Sequence, residues 1–552
     1  MYTVSVIRDE QQFFDLKNRW DALLAETPTD SIFLTHEWAI TWWRSFGSEH
    51  SLWIAVVTLD DSPVLIAPMM LSEQQGGPGS PGTIQFIGTP DSDYADLVGT
   101  PSRAACDALA DYMANAQQEW TSISLVQIPE KSESLRHLKD ALSSSGLPYA
   151  VTLSDICYSF RYEEDDTKRH EYKFSKPHSL RNSINRIKKL GDFSLERITD
   201  PAKIKADLAN LFLLHVNRWQ GSPTPSYFVD KQHRRFFEGL VDTFAPQGRL
   251  CYYTSKVDEI PVCCFLGFEY GGRIVFYTFA HNNYFFKLSP GKLHAVVQSE
   301  ELVREGYDID LSRGATEYKR MLSNQTAENL ALTVYQSNLS RFAARLIPGM
   351  KKRWPLRNLL ANRRFATWKD ELRLRLSQLG VTGVVRSMLV NIWQKIYKVD
   401  YINIYKPGDE RISIGADEQC ETAWGELDDM PSLATLLSIS KDAHSYKELA
   451  TRLDGGERFA MVRYNGLAVA SCWVQKLEHS QLVTDLYVHP LYEKDVLEQL
   501  MQFLLDSTDV DLRVAVPGGE MRMSVIMHNV GFELAQRQPT VYLMGKELRR
   551  PD

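Results

Sequence analysis

The sequence predicts an α/β chain of mixed (α+β) sheets, arranged as three successive units. Helical and strand-like apolar periods alternate along the chain, punctuated by Gly, Pro, Asn and Asp. One order of elements recurs three times without an obvious sequence repeat: helices, a strand meander, then helix–strand–helix–strand. The length, 552 residues, also exceeds what a single core supports.

In residues 1–155 helical patterns at 10–25 and 36–46 precede strand-like runs at 52–59 and 63–71, turning at Asp60-Asp61. After the GGPGSPG break come a strand at 83–88, a helix at 102–118 and the strand ISLVQI. Residues 156–340 repeat this order. Helices at 178–190 and 201–219 lead to strands at 249–256, 260–269 and 273–280, with turns at Asp258-Glu259 and Gly271-Gly272. A helix from Lys292 to Glu305 and a strand from Tyr307 to Leu311 follow. In residues 400–552, strands 458–464 and 467–475 flank Asn465-Gly466, the strongest short-range hairpin signal. Strand 482–488, helix 491–506, strand 511–516, helix 520–529 and strand 539–545 complete that unit.

Apolar residues make up 44% and charged residues 24%, ordinary for a globular protein. No run of about 18 apolar residues and no basic-then-apolar leader is visible. Seven cysteines without a Cys-x-x-Cys predict reduced core thiols, no metal, and a cytoplasmic protein. Charge is uneven. Residues 341–398 hold fourteen Lys and Arg against Asp370 and Glu371, a local +12, which leaves −20 elsewhere in a chain of −8. This stretch (341–399) predicts a basic helical connector, with Val381, Val384, Val385, Met388, Ile392 and Ile396 at helical spacing and three tryptophans among the cations. It reads as a bridge between folds, or as a peripheral contact with an anionic inner membrane.

The most informative stretch runs from Leu288 to Leu322. Ser289 fits a helix cap and Pro290 the first helical position. The amides of Gly291, Lys292 and Leu293 would then point out of a positive helix end able to hold an anion, which makes these three and Ser289 the expected cofactor site. A capped surface helix is the plainer alternative. Beyond it, Asp310, Arg313, Tyr318 and Lys319 cluster on a polar loop. An acid there can accept a proton from an amine, a tyrosine can protonate a departing thiolate, and the cations can neutralise phosphate or an oxyanion. A surface salt-bridge cluster is the alternative. Upstream, DSDYAD presents Asp93, Tyr94 and Asp96 after a strand, either as ligand contacts or as an Asx-turn. Arg181 lies on the basic face of helix 178–190. Arg218 and Trp219 close helix 201–219, in which His215 reads as a packing residue.

Taken together, SIFLTHEWAITWWRSFG (31–47), FIGTPDSDYADLVG (86–99), SLRNSINRIKKLG (179–191), LHVNRWQ (214–220), LSPGKL (288–293) and IDLSRGATEYKRML (309–322) resemble the CelD-type acetyltransferases, relatives of the FemAB peptidyl transferases. The resemblance covers residues 1–340. It implies tandem GNAT-like folds: an N-terminal half (1–155) contributing the substrate cleft, and a central domain (156–340) holding acetyl-CoA or a longer acyl-CoA. The residue after Gly314 is usually acidic in that family, and here it is Ala315. The implied activity is acyl transfer to an amine or hydroxyl of a glycan, lipid-precursor or envelope acceptor. A non-catalytic scaffold and an aminoacyl-tRNA-dependent transferase are the alternatives; otherwise no nucleic-acid partner is implied. A homo-oligomer stays open.

Residues 400–552 resemble a further, degenerate GNAT-like domain. Val496 and Glu498 stand where such folds carry phosphate-cradling glycines, and Glu493 and Asp495 add negative charge. No Gly-x-Ser-x-Gly elbow occurs, and no thiol stands beside a plausible His partner, which disfavours a covalent enzyme intermediate.

Overall fold

The computed structural model describes residues 1–72, 82–163, 166–219, 226–258 and 260–338. Of the C-terminal third it describes 397–407, 420–426, 429, 432–433, 436, 449, 451–453, 455–464, 467–477, 480–489, 491, 493–507, 511–517, 532–543 and 546–549. Most of the expected basic connector, the tip of the Asn465-Gly466 hairpin and the expected helix 520–529 lie outside the described residues. The chain divides into two compact units, one of residues 1–212, 230–281 and 288–354, the other of 213–229, 282–287 and 355–552.

The N-terminal half contains β1 (Tyr2–Ile7), α1 (Glu10–Asp15), α2 (Lys17–Ala25), α3 (His36–Phe46), β2 (His50–Leu52), β3 (Ile54–Leu59), β4 (Ser62–Ala67), β5 (Met69–Ser72), β6 (Gly82–Phe86), β7 (Val98–Gly99), α4 (Arg103–Asn115), β8 (Trp120–Pro129), α5 (Glu133–Ser144) and β9 (Tyr149–Phe160). Helix α3 starts where the sequence places it, because Thr35 is a working cap: its side chain accepts from the Trp38 amide. The hairpin between β3 and β4 turns on Asp60 and Asp61, both at positive φ, a backbone state Asp tolerates.

The central half adds α6 (His178–Ile187), β10 (Phe193–Ile198), α7 (Pro201–Trp219), α8 (Lys231–Phe244), β11 (Leu250–Val257), β12 (Ile260–Tyr270), β13 (Arg273–His281), α9 (Pro290–Arg304), β14 (Asp308–Arg313), α10 (Glu317–Leu322) and β15 (Gln325–Tyr335). The C-terminal third has β16 (Tyr397–Pro407), β17 (Cys420–Trp424), β18 (Arg458–Tyr464), β19 (Leu467–Lys476), β20 (Ser480–Val488), α11 (Glu493–Asp506), β21 (Asp511–Pro517), β22 (Phe532–Leu543) and β23 (Lys546–Arg549).

A parallel β–α–β unit appears three times: β6–α4–β8, β13–α9–β14 and β20–α11–β21, with Gly82 opposite Trp120, Arg273 opposite Asp308 and Ser480 opposite Asp511. The strand order β17-β18-β19-β20-β21-β16-β22 repeats β10-β11-β12-β13-β14-β9-β15 position for position. In α11, Val496 is 2% exposed and belongs to the inward face with Leu497, Leu500 and Leu504.

The two N-terminal halves are less separate than the sequence suggests. An eleven-stranded sheet runs through both, in the order β10-β11-β12-β13-β14-β9-β15-β8-β6-β5-β2. The 155/156 division passes through the middle of β9. That strand pairs with β14 on one side and β15 on the other, and β15 pairs in turn with β8. Helix α3 seals one face. Phe33 and Trp38 pack edge-on against Phe268 of β12, and Trp38 meets Phe236 of α8 with ring centroids 5.4 Å apart.

All seven cysteines are free, and every one but Cys420 is buried. Among the described residues no helix is long and apolar enough to cross a membrane, and no group of three metal-ligating side chains is assembled.

Candidate active site

Strands β13 and β14 run parallel only from Arg273–Asp308 to Val275–Asp310. Beyond that point they separate, so Asp310 is the last paired residue before the sheet opens. On its other side β14 pairs with β9, and the register shifts between Asp310 and Arg313. The extra residue adopts a left-handed turn at Ser312 (φ 58°), followed by Gly314 at φ 101°. This bulge folds the Ser312 amide back onto Asp310 Oδ1 at 2.8 Å.

A cleft of ≈240 Å³ opens beside Asp310, with Tyr94, Cys157, Arg161, Arg273 and Asp308 among its walls. Both halves build it: Thr29, Asp30, Ser31 and Tyr94 come from the first, and β13 and β14 from the second. The Tyr94 loop is held from two sides. Above, the α3 tryptophans reach it, Trp38 Nε1 donating to Ser92 Oγ at 2.9 Å and Trp42 Nε1 to Asp91 Oδ2 at 2.8 Å. Below, Asn329 of β15 donates to the Asp93 carbonyl at 2.8 Å, and the Ala95 amide donates to the Gln127 carbonyl at 3.0 Å.

Tyr94 donates to Asp310 Oδ1 at 2.9 Å. Burial holds the Asp310 carboxyl above its ordinary range, against the pull of the Ser312 amide and Tyr94 hydroxyl. Burial likewise raises Tyr94, with the Asp310 charge adding to the effect. Burial lifts Asp93 to about 6 although Arg313 and Lys319 oppose it. Cys157 is pushed up to about 12 by burial, so it is a thiol and not a nucleophile.

Several expected roles change once partners are known. Arg313 is not free for phosphate: its Nε pairs with Asp93 Oδ1 at 2.5 Å and its Nη2 donates to the Pro90 carbonyl at 2.7 Å. Lys319 is half-buried and donates to the Arg313 carbonyl, and burial lowers its pKa. Arg313 therefore locks the bulge to the Tyr94 loop, and Lys319 ties α10 to the bulge. Asp96 accepts from Thr29 Oγ1 at 2.6 Å and from the Leu97 amide, which makes it a loop brace. Tyr318 sits edge-on to Phe279 of β13, centroids 5.5 Å apart. Ala315 occupies an exposed turn between β14 and α10.

At the start of α9, Ser289 does not cap. Its backbone is left-handed (φ 51°, ψ 56°) and its side chain accepts no cap hydrogen bond, where a working cap needs extended geometry. The Leu293 amide is already committed to the Ser289 carbonyl at 3.0 Å. The amides of Gly291 and Lys292 stand ahead of the first helical bond. A Cβ on Gly291 would lie 3.0 Å from Phe279 Cε2 and 3.2 Å from His281 Nδ1, so the start of α9 packs closely against β13 there. Lys292 pairs with Glu317 at 2.6 Å.

Arg181 is exposed on α6. Arg218 and Trp219 fall in the second compact unit, where Arg218 lies over the Trp219 ring. His215 is buried there, 2.8 Å from Ser226 Oγ, a packing residue as expected. Reading the sequence missed Arg161, Arg273 and Asp308; only the placement of Arg273 directly after the Gly271-Gly272 turn hinted at a strand start.

Residues 175–320, which hold the splayed strands, α9 and the bulge, match the acetyltransferase (GNAT) domain family. The chain contains a GNAT-type acyltransferase domain. Its GNAT domain thus spans α6 to α10, and the cleft at Asp310 is shared between this domain and the N-terminal half. A search of curated proteins returns no match. Similar solved structures include FemX, at 12% identity over 59% of this chain and 98% of that one (TM-score 0.43). A tandem GNAT protein from the clavulanic acid biosynthesis pathway is 11% identical over 61% of this chain and 99% of that one (0.37). L-PGS from Bacillus licheniformis is 10% identical over 63% and 96% (0.35).

Proposed function

We propose that this GNAT enzyme transfers an acyl group from a CoA thioester directly to an amine bound in the cleft at Asp310. The observation that carries the reading is the position of Asp310. It is the last residue paired across β13 and β14, and it is a floor residue of a cleft completed by Tyr94 from the other half. A carboxyl at the opening of a splayed sheet can receive the proton of an attacking amine, and burial moves its pKa toward the working range of a general base.

In this reading the donor's phosphates lie at the start of α9, served by the amides of Gly291 and Lys292. The donor supplies the activated thioester carbonyl. The amine nitrogen attacks the carbonyl carbon as its proton passes to Asp310. The C–N bond forms, the C–S bond breaks, and the thiolate leaves with a proton for which the Tyr318 hydroxyl is the proposed source. The buried Cys157 thiol and the absence of a nucleophile elbow favour this direct route over an acyl-enzyme.

Asp310→Asn tests the reading. Free-thiol release from acetyl-CoA with a panel of amines should fall by about 10²–10⁴-fold while the melting temperature holds. Unchanged turnover would remove Asp310 as the base.

A further inference from the structure

The cleft carries more charge than a plain amine needs. Three carboxylates (Asp30, Asp308, Asp310) and two guanidinium groups (Arg161, Arg273) line the same ≈240 Å³. This is at or below the small end of ligand pockets, roughly 300–1,000 Å³. The arginines are only partly used. Both hydrogen bonds of Arg273 leave from Nη2, to the Asp30 carbonyl and to Asp30 Oδ2 at 2.8 Å. Its Nε and Nη1 have no partner among the described residues. Arg161 meets Asp308 through Nε at 3.5 Å, its side chain stays 65% exposed, and its two terminal nitrogens have no partner among the described residues. Asp310 is used on one oxygen. Tyr94 and the Ser312 amide both donate to Oδ1, and Oδ2 receives no donor among the described residues.

An open carboxylate oxygen and two guanidinium groups with spare donors therefore share one small cleft. In the β13–β14 register Arg273 faces Asp308, two residues from the Val275–Asp310 pair. That offset is about 6.6 Å along the strands. A ligand with its nitrogen at Asp310 need extend only that far to bring an anion to Arg273. The two terminal nitrogens of Arg161 lie side by side and match a carboxylate, and Arg273 adds single donors from Nε or Nη1. Three acids against two arginines leave no positive excess for a phosphate dianion.

Building on the acyl-transfer reading above, we propose that the acceptor is an amino acid, held by its carboxylate on Arg161 and Arg273 with its amine at Asp310. The transfer is then N-acylation of the amino acid. The nitrogen gains the acyl carbon and gives its proton to Asp310, and the donor leaves as free thiol.

The experiment uses the full chain, acetyl-CoA, the twenty standard amino acids, and the decarboxylated amines cadaverine, phenethylamine and ethylamine, with O-phosphoethanolamine as the phosphate-bearing control. At least one amino acid should exceed its own amine by about tenfold or more in kcat/KM. Arg161→Gln and Arg273→Gln should each erase most of that preference through KM. Arg161 is exposed, so its variant reports even if Arg273→Gln folds poorly. A parallel thermal shift with amino acid alone separates the two ideas. A rise in melting temperature that Arg161→Gln abolishes, with no thiol release from any acceptor, would refute acyl transfer and keep the amino-acid site. Equal use of amines and amino acids, a preference for O-phosphoethanolamine, or neither transfer nor a shift would overturn the amino-acid proposal.

Discussion

The Tyr94 hydroxyl donates a 2.9 Å hydrogen bond to Asp310 Oδ1, joining two residues 216 positions apart and closing the cleft between the two N-terminal halves. The bond favours the ionised carboxylate and so holds the Asp310 pKa down against burial. Tyr94→Phe removes it and lets the pKa climb further. A base works only when ionised, so activity rises with pH through its pKa, and the acidic limb should move to higher pH. Hydrogen bonds to charged groups are worth about 1.5–3 kcal/mol, which corresponds to a displacement of roughly one to two pH units. The check is kcat/KM against pH for both proteins; coincident limbs would sever Tyr94 from the base.

Asp93 makes stability itself pH-dependent. Burial raises its carboxyl from 3.8 to about 6, despite the Arg313 charge beside it. A raised carboxyl binds its proton more tightly when folded. Its stabilising share is therefore complete below pH 4 and is lost as pH rises through 6. The size is about 3 kcal/mol, at roughly 1.4 kcal/mol per pH unit. Asp93→Asn should flatten the melting-temperature profile of the first compact unit between pH 4 and 6. An unchanged slope would show that Asp93 does not titrate there.

Much of the architecture is legible in the sequence, because local signals and tertiary demands agree. Helix α3 and strand β18 fall on the expected residues, and the hairpins turn where Asp-Asp and Gly-Gly are written. Helix α8 was missed although Asp230 caps it and Phe236, Phe237, Leu240, Val241 and Phe244 form its buried stripe; that signal was present. The pairing of β9 with β15 was not readable. Its partners lie far apart in sequence, and the first four residues of β15 are exposed. The site divides the same way. Asp310 and Tyr94 could be named from their loops. The duties of Arg313 and Lys319 depend on the Pro90 carbonyl, Asp93 and a bulge at Ser312, which no local pattern announces.

Tyr318 meets Phe279 of β13 edge-on, and its side chain is half-buried. As the proposed proton source for the leaving thiolate, its hydroxyl matters to chemistry and its ring to packing. Tyr318→Phe keeps the ring, so the melting temperature should hold while kcat drops about tenfold or more. An aryl-thioester donor, whose thiolate needs no proton, should recover most of the loss. Normal kcat with acetyl-CoA would assign the acid elsewhere.

Gly291 lies at the start of α9, where the donor's phosphates are proposed to bind. Replacing it with alanine improves helix propensity by about 1 kcal/mol. The new methyl, however, would stand 3.0 Å from Phe279 Cε2 and 3.2 Å from His281 Nδ1. Overpacking of this kind costs about 1–3 kcal/mol when neighbours cannot yield. Phe279 is only half-buried, so its ring can move, and the two terms nearly cancel in stability. They do not cancel in function, because that ring supports Tyr318 and the methyl stands beside the amides proposed to serve the donor. Gly291→Ala should therefore melt close to the wild type yet show a KM for acetyl-CoA raised about tenfold, with acceptor KM little changed. A donor KM that stays put would place the thioester and its phosphates away from the start of α9.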